Sequence, residues 1–162
     1  MIDLHTVTPL VLSLGDALRA TGWRLAAAES CTGGLIAAAC TSVAGSSDWF
    51  ERGFVTYSNE AKIADVGVPA ATLAAHGAVS EAVAVAMAEG VLRHAPVQLA
   101  VAVTGIAGPG GATPDKPVGL VWLAWGTPGR VQAARLQLAG DRSAVRRQTV
   151  QAALERLLEA AR

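Results

Sequence analysis

Several side chains capable of nucleophilic and acid–base chemistry lie together in the segment TSVAGSSDWFERGFVTYSNEAK. It carries a hydroxyl pair at Ser46 and Ser47, a phenol at Tyr57 and an amine at Lys62, separated by a strand-like stretch. Lysine is scarce, because only Lys62 and Lys116 among the 13 basic residues are lysines. A desolvated lysine can lose its proton, whereas an arginine cannot. Lys62 is therefore a candidate general base, and the alternative is a surface lysine that follows a strand.

A serine could supply the nucleophile for such a base. The serine hydroxyl attacks an amide only when a base takes its proton, and a lysine can do so when burial and neighbouring groups lower its pKa. Lowering that pKa from about 10.4 to about 7 or 8 corresponds to roughly 3 to 5 kcal/mol of differential interaction. The residues alone do not distinguish Ser46 from Ser47 as the nucleophile.

A second candidate segment joins a predicted buried strand, residues 23–28, to an alanine-rich helix through ESCTGG. Paired glycines at such a junction leave backbone N–H groups free, which suits an anion or a hydroxylated ligand. Ser30, Thr32 and Gly33 are candidate binding residues here, and the alternative is that Ser30 or Thr32 caps the helix. Cys31 is a further candidate nucleophile, although no histidine lies near it in the sequence.

A third candidate segment is the glycine-rich loop TGIAGPGG at 104–111, which follows a predicted central strand. Four glycines in a short loop indicate either tight turning or close approach of the backbone to a ligand. The loop lacks the GK[ST] ending of a P-loop, and no helix follows it. Arg142 and Arg146 begin the last predicted helix, where positive charge opposes the helix dipole, so a phosphate contact is one interpretation. Solvated surface arginines are the alternative.

The composition excludes several classes of protein. The chain has 162 residues, 52% of them apolar, which predicts a single domain over residues 1–162 with a sizeable core. No apolar run approaches the length of about 20 residues that a membrane span needs. Thirteen acidic residues balance the 13 basic ones, so general nucleic-acid binding is not expected.

Histidines and cysteines give no indication of a metal site or another cofactor. The three histidines are scattered without ligand spacing, and Cys31 and Cys40 are nine positions apart rather than in a CxxC pair. The N-terminal segment contains Asp3 and Asp16 and lacks a basic region, so it does not resemble a signal peptide. Together these features predict a reduced, cytoplasmic compartment.

Hydrophobic periodicity predicts alternating helices and strands. Helices are expected at 7–20, 35–40, 79–94 and 143–161, and strands at 23–28, 54–57, 99–103, 118–125 and 131–138. The last two strands suggest a hairpin, which would make the sheet mixed. We therefore predict a three-layer α/β/α sandwich around a mixed, largely parallel sheet, with the site in loops at one sheet edge.

Several motifs occur together in a specific order: AESCTGG at 28–34, GSSDWFERGFVTYSNEAK at 45–62, HGAVSE at 76–81, TGIAGPGG at 104–111, KPVG at 116–119 and GDR at 140–142. In this combination the chain resembles the CinA C-terminal domain family over about residues 10–158. The resemblance implies nicotinamide-nucleotide amidase activity, which hydrolyses the carboxamide of nicotinamide mononucleotide (NMN) to nicotinate mononucleotide and ammonia. It also implies a Ser/Lys pair, with Ser47 as nucleophile, Lys62 as base and Tyr57 beside them.

The resemblance also implies which residues bind the substrate. Ser30, Thr104 and an arginine of the GDR segment would line the site, and the glycine-rich loop with Arg142 or Arg146 would hold the 5′-phosphate. The full set of expected binding residues is Ser30, Thr32, Gly33, Ser46, Asn59, Thr104, Gly105, Ala107, Gly108, Arg142 and Arg146. No cofactor is expected, and a homo-oligomer, with a dimer favoured, is expected.

Three alternatives remain at this level. The chain could be a nucleotide-binding module without turnover, an amidase or esterase for another small substrate, or an oligomerisation module built from its alanine- and valine-rich helices. The presence of both members of the Ser/Lys pair argues against the first of these.

Overall fold

A five-stranded sheet forms the centre of the molecule. The computed structural model describes residues 5–162. Residues 1–4 belong to the N-terminal segment that does not resemble a signal peptide, and they lie outside the described residues. The strands are β1 (Leu25–Glu29), β2 (Phe50–Val55), β3 (Leu99–Gly105), β4 (Leu120–Thr127) and β5 (Arg130–Gln137). Their order is β2-β1-β3-β4-β5, with β1 parallel to β2 and β3, and with antiparallel β3–β4 and β4–β5 pairs. The predicted mixed sheet is confirmed.

Helices cover both faces of this sheet. They are α1 (Thr8–Thr21), α2 (Leu35–Thr41), α3 (Asn59–Val66), α4 (Ala70–His76), α5 (Glu81–His94) and α6 (Arg142–Ala160). Residues of α1, α2 and α6 pack on the face to which β1 contributes Leu25 and Ala27. Residues of α3, α4 and α5 pack on the opposite face, which receives Ala26 and Ala28. Alternation along a strand places successive side chains on opposite faces, and the predicted three-layer architecture is confirmed.

The face that receives α5 is built largely from alanine. Small side chains let α5 lie close to the sheet. Helices α5 and α3, on the same face, also approach each other closely. A Cβ added at Gly90 of α5 would overlap the carbonyl oxygen of Val66 in α3. Backbone is therefore in direct contact with backbone at this point, and any larger residue there would push the two helices apart.

β2 differs most from its prediction. It begins at Phe50 and ends at Val55, whereas the sequence predicted 54–57, so Tyr57 lies beyond the strand rather than within it. β2 is an edge strand, and its burial does not alternate cleanly along its length. The period of two that identifies a half-buried strand is therefore missing from its first residues.

The crossover connections create a crevice at one edge of the sheet. β1 lies between β2 and β3, and the chain reaches β2 through α2 on one face and β3 through α3, α4 and α5 on the other. The loops that follow parallel strands then diverge above β1, where ligands of open α/β sheets commonly bind. The segments that meet there begin at Ser30, Thr56 and Thr104.

None of the helices within residues 5–162 combines the length and the apolarity that crossing a membrane would require.

Candidate active site

A lysine and a serine meet at the carboxyl edge of the sheet. Lys62 Nζ lies 3.1 Å from Ser30 Oγ, within hydrogen-bond distance. Nζ also donates to the carbonyl oxygen of Thr56 at 2.8 Å, and a longer contact of 3.5 Å joins it to the carbonyl oxygen of Ser58. The amine therefore has a fixed position between two adjacent strand ends.

Local structure accounts for the position of Lys62. Ser58 caps α3, because its Oγ accepts a hydrogen bond from the backbone N–H of Ala61 at 3.0 Å. This cap starts the helix immediately after β2 and places Lys62 in its first turn. The Lys62 side chain is 1% exposed, so the amine lies beneath the surface and not in solvent as the alternative interpretation required.

Burial governs the electrostatics of Lys62. Desolvation lowers the pKa of its amine, and the nearby Cys31 opposes this effect. Within residues 5–162, no carboxylate forms an ion pair with Lys62. Its recorded hydrogen-bond partners are a hydroxyl and carbonyl oxygens, which stabilise an ammonium less than a carboxylate would. The site therefore favours a lysine that can give up its proton and act as a base.

Ser30 is held at the start of the turn between β1 and α2. Its backbone N–H donates to the carbonyl oxygen of Val103 at 3.0 Å, and its own carbonyl oxygen accepts from Gly33 at 3.0 Å. The first bond fixes Ser30 against β3, and the second closes a tight turn. Ser30 is partly buried, so its hydroxyl is both oriented and reachable from the crevice.

Tyr57 and Arg142 form one side of the site. Arg142 Nη2 donates to the Tyr57 hydroxyl at 2.8 Å, and Nη1 donates to the carbonyl oxygen of Gly108 at 2.9 Å. Tyr57 is 59% exposed, so the pair stands at the opening of the crevice. Arg142 thus connects Tyr57, in the segment after β2, to the glycine-rich loop at the end of β3.

A cavity of about 200 Å³ lies between these groups. Its lining residues are Ser30, Cys31, Tyr57, Asn59, Lys62, Ala78, Val79, Thr104, Gly105, Ala107 and Arg142. The Thr104 hydroxyl donates to the carbonyl oxygen of Ala78 at 2.8 Å and so joins the end of β3 to the segment before α5. A Cβ at Gly105 would lie 2.6 Å from Val121 Cγ2, so close packing against β4 accounts for that glycine.

The structure does not bring Ser46 or Ser47 to this cavity. Both belong to a short 3₁₀ helix, Ser46–Asp48, which precedes β2, whereas Lys62 follows it. The six residues of β2 span about 20 Å at the usual rise per residue. Ser46 and Ser47 therefore lie at the opposite end of β2 from Lys62, and the structure does not bring Ser47 of the same chain to Lys62. The serine bonded to Lys62 is Ser30.

Four further predicted binding residues do not line the cavity. Thr32 is fully buried, and Gly33 has a positive φ of 59° in the turn behind Ser30. Gly108 contributes its carbonyl oxygen to Arg142, and a Cβ there would lie 2.6 Å from Val118. Arg146 donates from Nη2 to the Thr32 carbonyl oxygen at 2.9 Å. These four residues support the segments that form the cavity but do not line it themselves.

The backbone N–H groups at the start of α2 are not free for a ligand. The carboxylate of Glu29, the last residue of β1, accepts hydrogen bonds from the N–H groups of Gly34, Ile36 and Ala37. Neither Ser30 nor Thr32 caps the helix, so the capping interpretation was wrong, and any backbone N–H group that this turn leaves free for a ligand must lie before Gly34. The available signal was a glutamate that ends a run of buried alanines, where an acidic side chain needs several donors.

Cys31, Ala78 and Val79 line the cavity although the sequence did not single them out as binding residues. Burial raises the pKa of the Cys31 thiol to about 11. The thiol is therefore protonated near neutral pH, which argues against Cys31 as a nucleophile. Ala78 and Val79 belong to the HGAVSE motif, which was the signal that this segment approaches the site.

A second, larger cavity adjoins the first. It has a volume of about 450 Å³ and is lined by Ala107, Pro109, Val118, Gly140, Asp141 and Arg142. Ala107 and Arg142 line both cavities, so the two cavities share part of their lining. Within the described part of the chain, no cluster of histidine, cysteine, aspartate and glutamate side chains could hold a metal ion.

The fold and the cavity define an α/β sandwich in which a partly buried serine contacts a buried lysine at the carboxyl edge of the sheet, an arrangement suited to acyl transfer. The profile of the CinA C-terminal domain family matches residues 7–161. The chain therefore belongs to the CinA C-terminal domain family.

Individual relatives are similar over nearly the whole chain. The nicotinamide-nucleotide amidohydrolase PncC of Pseudomonas putida is 53% identical over 156 residues, covering 96% of this chain and 98% of that protein. The protein of the same name from Escherichia coli strain K12 is 54% identical, covering 89% of this chain and 88% of that protein. The crystal structure of the competence/damage inducible protein CihA from Agrobacterium tumefaciens has a TM-score of 0.94 at 44% identity, with 96% of both chains covered.

Proposed function

We propose that this protein hydrolyses the carboxamide of nicotinamide mononucleotide to nicotinate mononucleotide and ammonia, with Ser30 as nucleophile and Lys62 as general base. The observation that carries the mechanism is the 3.1 Å contact between Ser30 Oγ and the buried Lys62 Nζ. The substrate is supported by the names of relatives that are 53% and 54% identical to this chain.

The reaction would begin with a neutral Lys62. Its amine takes the proton of Ser30 as Oγ attacks the carboxamide carbon and the carbonyl oxygen becomes an oxyanion. Lys62 then returns the proton to the amide nitrogen, which leaves as ammonia. Water attacks the acyl-enzyme, again with Lys62 as base, and releases the carboxylate product and Ser30.

The oxyanion needs hydrogen-bond donors that are not already engaged. The Thr104 hydroxyl donates to the carbonyl oxygen of Ala78, so it is not free for this purpose. The backbone N–H groups of Cys31 and Ala107 are better candidates, because both residues line the cavity and neither N–H donates to another backbone group within the described residues. Donors of this kind are worth about 10² to 10³ in kcat.

The remainder of the nucleotide would occupy the second cavity. Arg142 is the cationic side chain that lines both cavities, so it is the candidate for the 5′-phosphate. Its hydrogen bond to Tyr57 would also orient that phenol over the reacting amide. Arg146 is a weaker candidate because its guanidinium already holds the Thr32 carbonyl oxygen.

Ammonia release from NMN in the presence of a chelator tests this function. We expect turnover by the wild type, a loss of about 10⁴-fold or more in kcat for Ser30→Ala, and a comparable loss for Lys62→Arg, which stays protonated. Ser47→Ala is the matched control, because it removes an exposed serine at the opposite end of β2 from Lys62, and its kcat should stay within about twofold of the wild type. Full activity of Ser30→Ala would refute the assignment of the nucleophile.

Substrate analogues test the nucleotide specificity. Nicotinamide riboside lacks the phosphate, and free nicotinamide lacks both the sugar and the phosphate. A site that reads the phosphate through Arg142 should process both poorly, whereas a broader amidase would accept them. An inactive wild type that still binds NMN would favour the alternative of a binding module without turnover.

We also propose that the protein works as a homo-oligomer, with a dimer favoured, in a reducing cytoplasmic compartment. Large hydrophobic side chains are exposed at Leu12, Val55, Tyr57 and Ile63, and of these Tyr57 also lines the cavity, which supports self-association. Cys31 and Cys40 are both free and buried, which supports a reducing compartment. Sedimentation analysis at micromolar concentration tests the first proposal, and a monomer throughout would refute it.

A further inference from the structure

Glu29 is a fully buried carboxylate directly before the proposed nucleophile, and the mechanism above does not use it. Within the described part of the chain it has no cationic partner. Its oxygens instead accept four hydrogen bonds. Oε2 accepts from Thr32 Oγ1 at 2.6 Å, Gly34 N at 3.1 Å and Ile36 N at 3.0 Å, and Oε1 accepts from Ala37 N at 2.8 Å.

These bonds join the last residue of β1 to the far side of the turn that carries Ser30. Helix α2 has no side-chain cap at Gly34, its own N-cap position. The Leu35 N–H donates to the Thr32 carbonyl oxygen, so Glu29 and this bond together satisfy the N–H groups of the first turn. The conformation of residues 30–34 is therefore defined by one carboxylate as well as by the two ends of the turn.

We propose that Glu29 is a positioning residue for the reaction, which fixes the Ser30 hydroxyl against Lys62 by holding the turn through Thr32 and the start of α2. This inference rests on the proposed role of Ser30. Thr32 is thereby reassigned from substrate binding to the same support, because its hydroxyl donates to Glu29 and does not line the cavity.

The chemistry of the four donors requires a carboxylate. A glutamine in place of Glu29 would offer one acceptor oxygen and one NH₂ group, and the NH₂ group would face a backbone N–H. The turn would then have to shift to relieve a contact between two donors. A displacement of about 1 Å at a reacting atom can reduce a rate about 10²-fold, so we expect Glu29→Gln to lower kcat by about that factor.

A matched pair at Thr32 tests the same contact without removing the buried charge. Thr32→Val keeps the shape but loses the hydroxyl, whereas Thr32→Ser keeps the hydroxyl. We expect kcat about 10-fold lower for the valine variant and near the wild-type value for the serine variant, with KM changed less than about twofold in both. Glu51→Gln is a control for removing a carboxylate, because Glu51 lies in β2, forms ion pairs with Arg24 and Arg52, and does not line the cavity.

The rate at which a fluorophosphonate labels Ser30 provides a readout that does not depend on the substrate. We expect labelling of Glu29→Gln and Thr32→Val to slow in parallel with kcat, while the pH midpoint that reports Lys62 stays unchanged. Folded variants that label at the wild-type rate would overturn the proposal and leave Glu29 with a structural role only. If Glu29→Gln does not fold, the Thr32 pair decides.

The same readout separates this proposal from the proposed function. A wild type that is labelled at Ser30 but does not release ammonia from NMN would refute the substrate and leave the positioning role to be decided by the labelling rates. A wild type that shows neither labelling nor turnover would refute Ser30 as the nucleophile, and the role of Glu29 with it.

Discussion

Replacing Lys62 with methionine should change how the stability of the protein depends on pH. The amine is 1% exposed, and desolvation lowers its pKa. In the unfolded chain the same amine has a pKa of about 10.4. Between the folded and the unfolded pKa, the unfolded state binds a proton that the native state does not bind. The free energy of unfolding of the wild type should therefore rise with pH across this window.

The magnitude follows from this difference of one proton. The stability of the wild type relative to Lys62→Met should increase by at most about 1.4 kcal/mol per pH unit between the two pKa values, and should be constant below the folded pKa. The measurement is urea unfolding from pH 6 to 10, with the free energy and the m value determined at each pH. Lys116→Met is the control for loss of a lysine, since Lys116 also donates to a carbonyl oxygen, that of His76.

The pH dependence of the reaction rate should report the same protonation of Lys62. If Lys62 is the general base, kcat/KM for the wild type should rise with pH as its amine becomes neutral, and the midpoint gives the pKa of the free enzyme. That midpoint should agree with the pH at which the stability difference begins to increase. A stability difference that does not vary with pH, or two midpoints that disagree by more than about one unit, would refute a buried Lys62 of lowered pKa as the base.

Three further predictions concern residues around the site and in the core. Cys31→Ala should retain activity within about threefold, because a thiol with a pKa near 11 is not a nucleophile at neutral pH; loss of ammonia release would contradict this. Arg142→Lys should lower kcat/KM by about 10-fold or more, since a lysine cannot span Tyr57 and the glycine-rich loop together, and NMN steady-state kinetics measure it. Gly90→Ala should reduce the unfolding free energy by about 1 to 3 kcal/mol, because its Cβ would overlap the Val66 carbonyl oxygen; an unchanged denaturation midpoint would show that the helices can separate freely.

The architecture could be predicted from the sequence because its signals are local. Apolar runs such as Leu99–Val103 and amphipathic helices each carry their own periodicity, and the order of elements then restricts the topology. The predicted helix at 79–94 also agrees with the structure, in which Ser80 caps α5 and its Oγ accepts a hydrogen bond from Val83 N at 3.3 Å. The interpretation of residues 1–162 as a single domain stays a prediction, with residues 1–4 outside the described structure.

The serine that contacts Lys62 could not be predicted from the segment that contains this lysine. Ser47 lies only 15 positions before Lys62, but those positions include a strand that carries the chain across the whole sheet. Ser30 is 32 positions away, yet it follows the adjacent parallel strand and so reaches the same edge. Distance along the chain is therefore misleading in a parallel sheet, where residues that follow neighbouring strands lie together.

Because, among the described residues, carbonyl oxygens and not a carboxylate surround Lys62, its protonation state should depend on the charge of the substrate. The pyridine ring of NMN is quaternary and carries a positive charge close to its carboxamide. A protonated Lys62, held by the Thr56 carbonyl oxygen, would repel this ring across a cavity of about 200 Å³, whereas the neutral amine would not. Because coupling between two ligands is reciprocal, a proton that weakens substrate binding must itself bind more weakly once the substrate is present. Binding of NMN should therefore lower the pKa of Lys62 further, and the cationic ring of the substrate would favour the neutral amine that acts as the base.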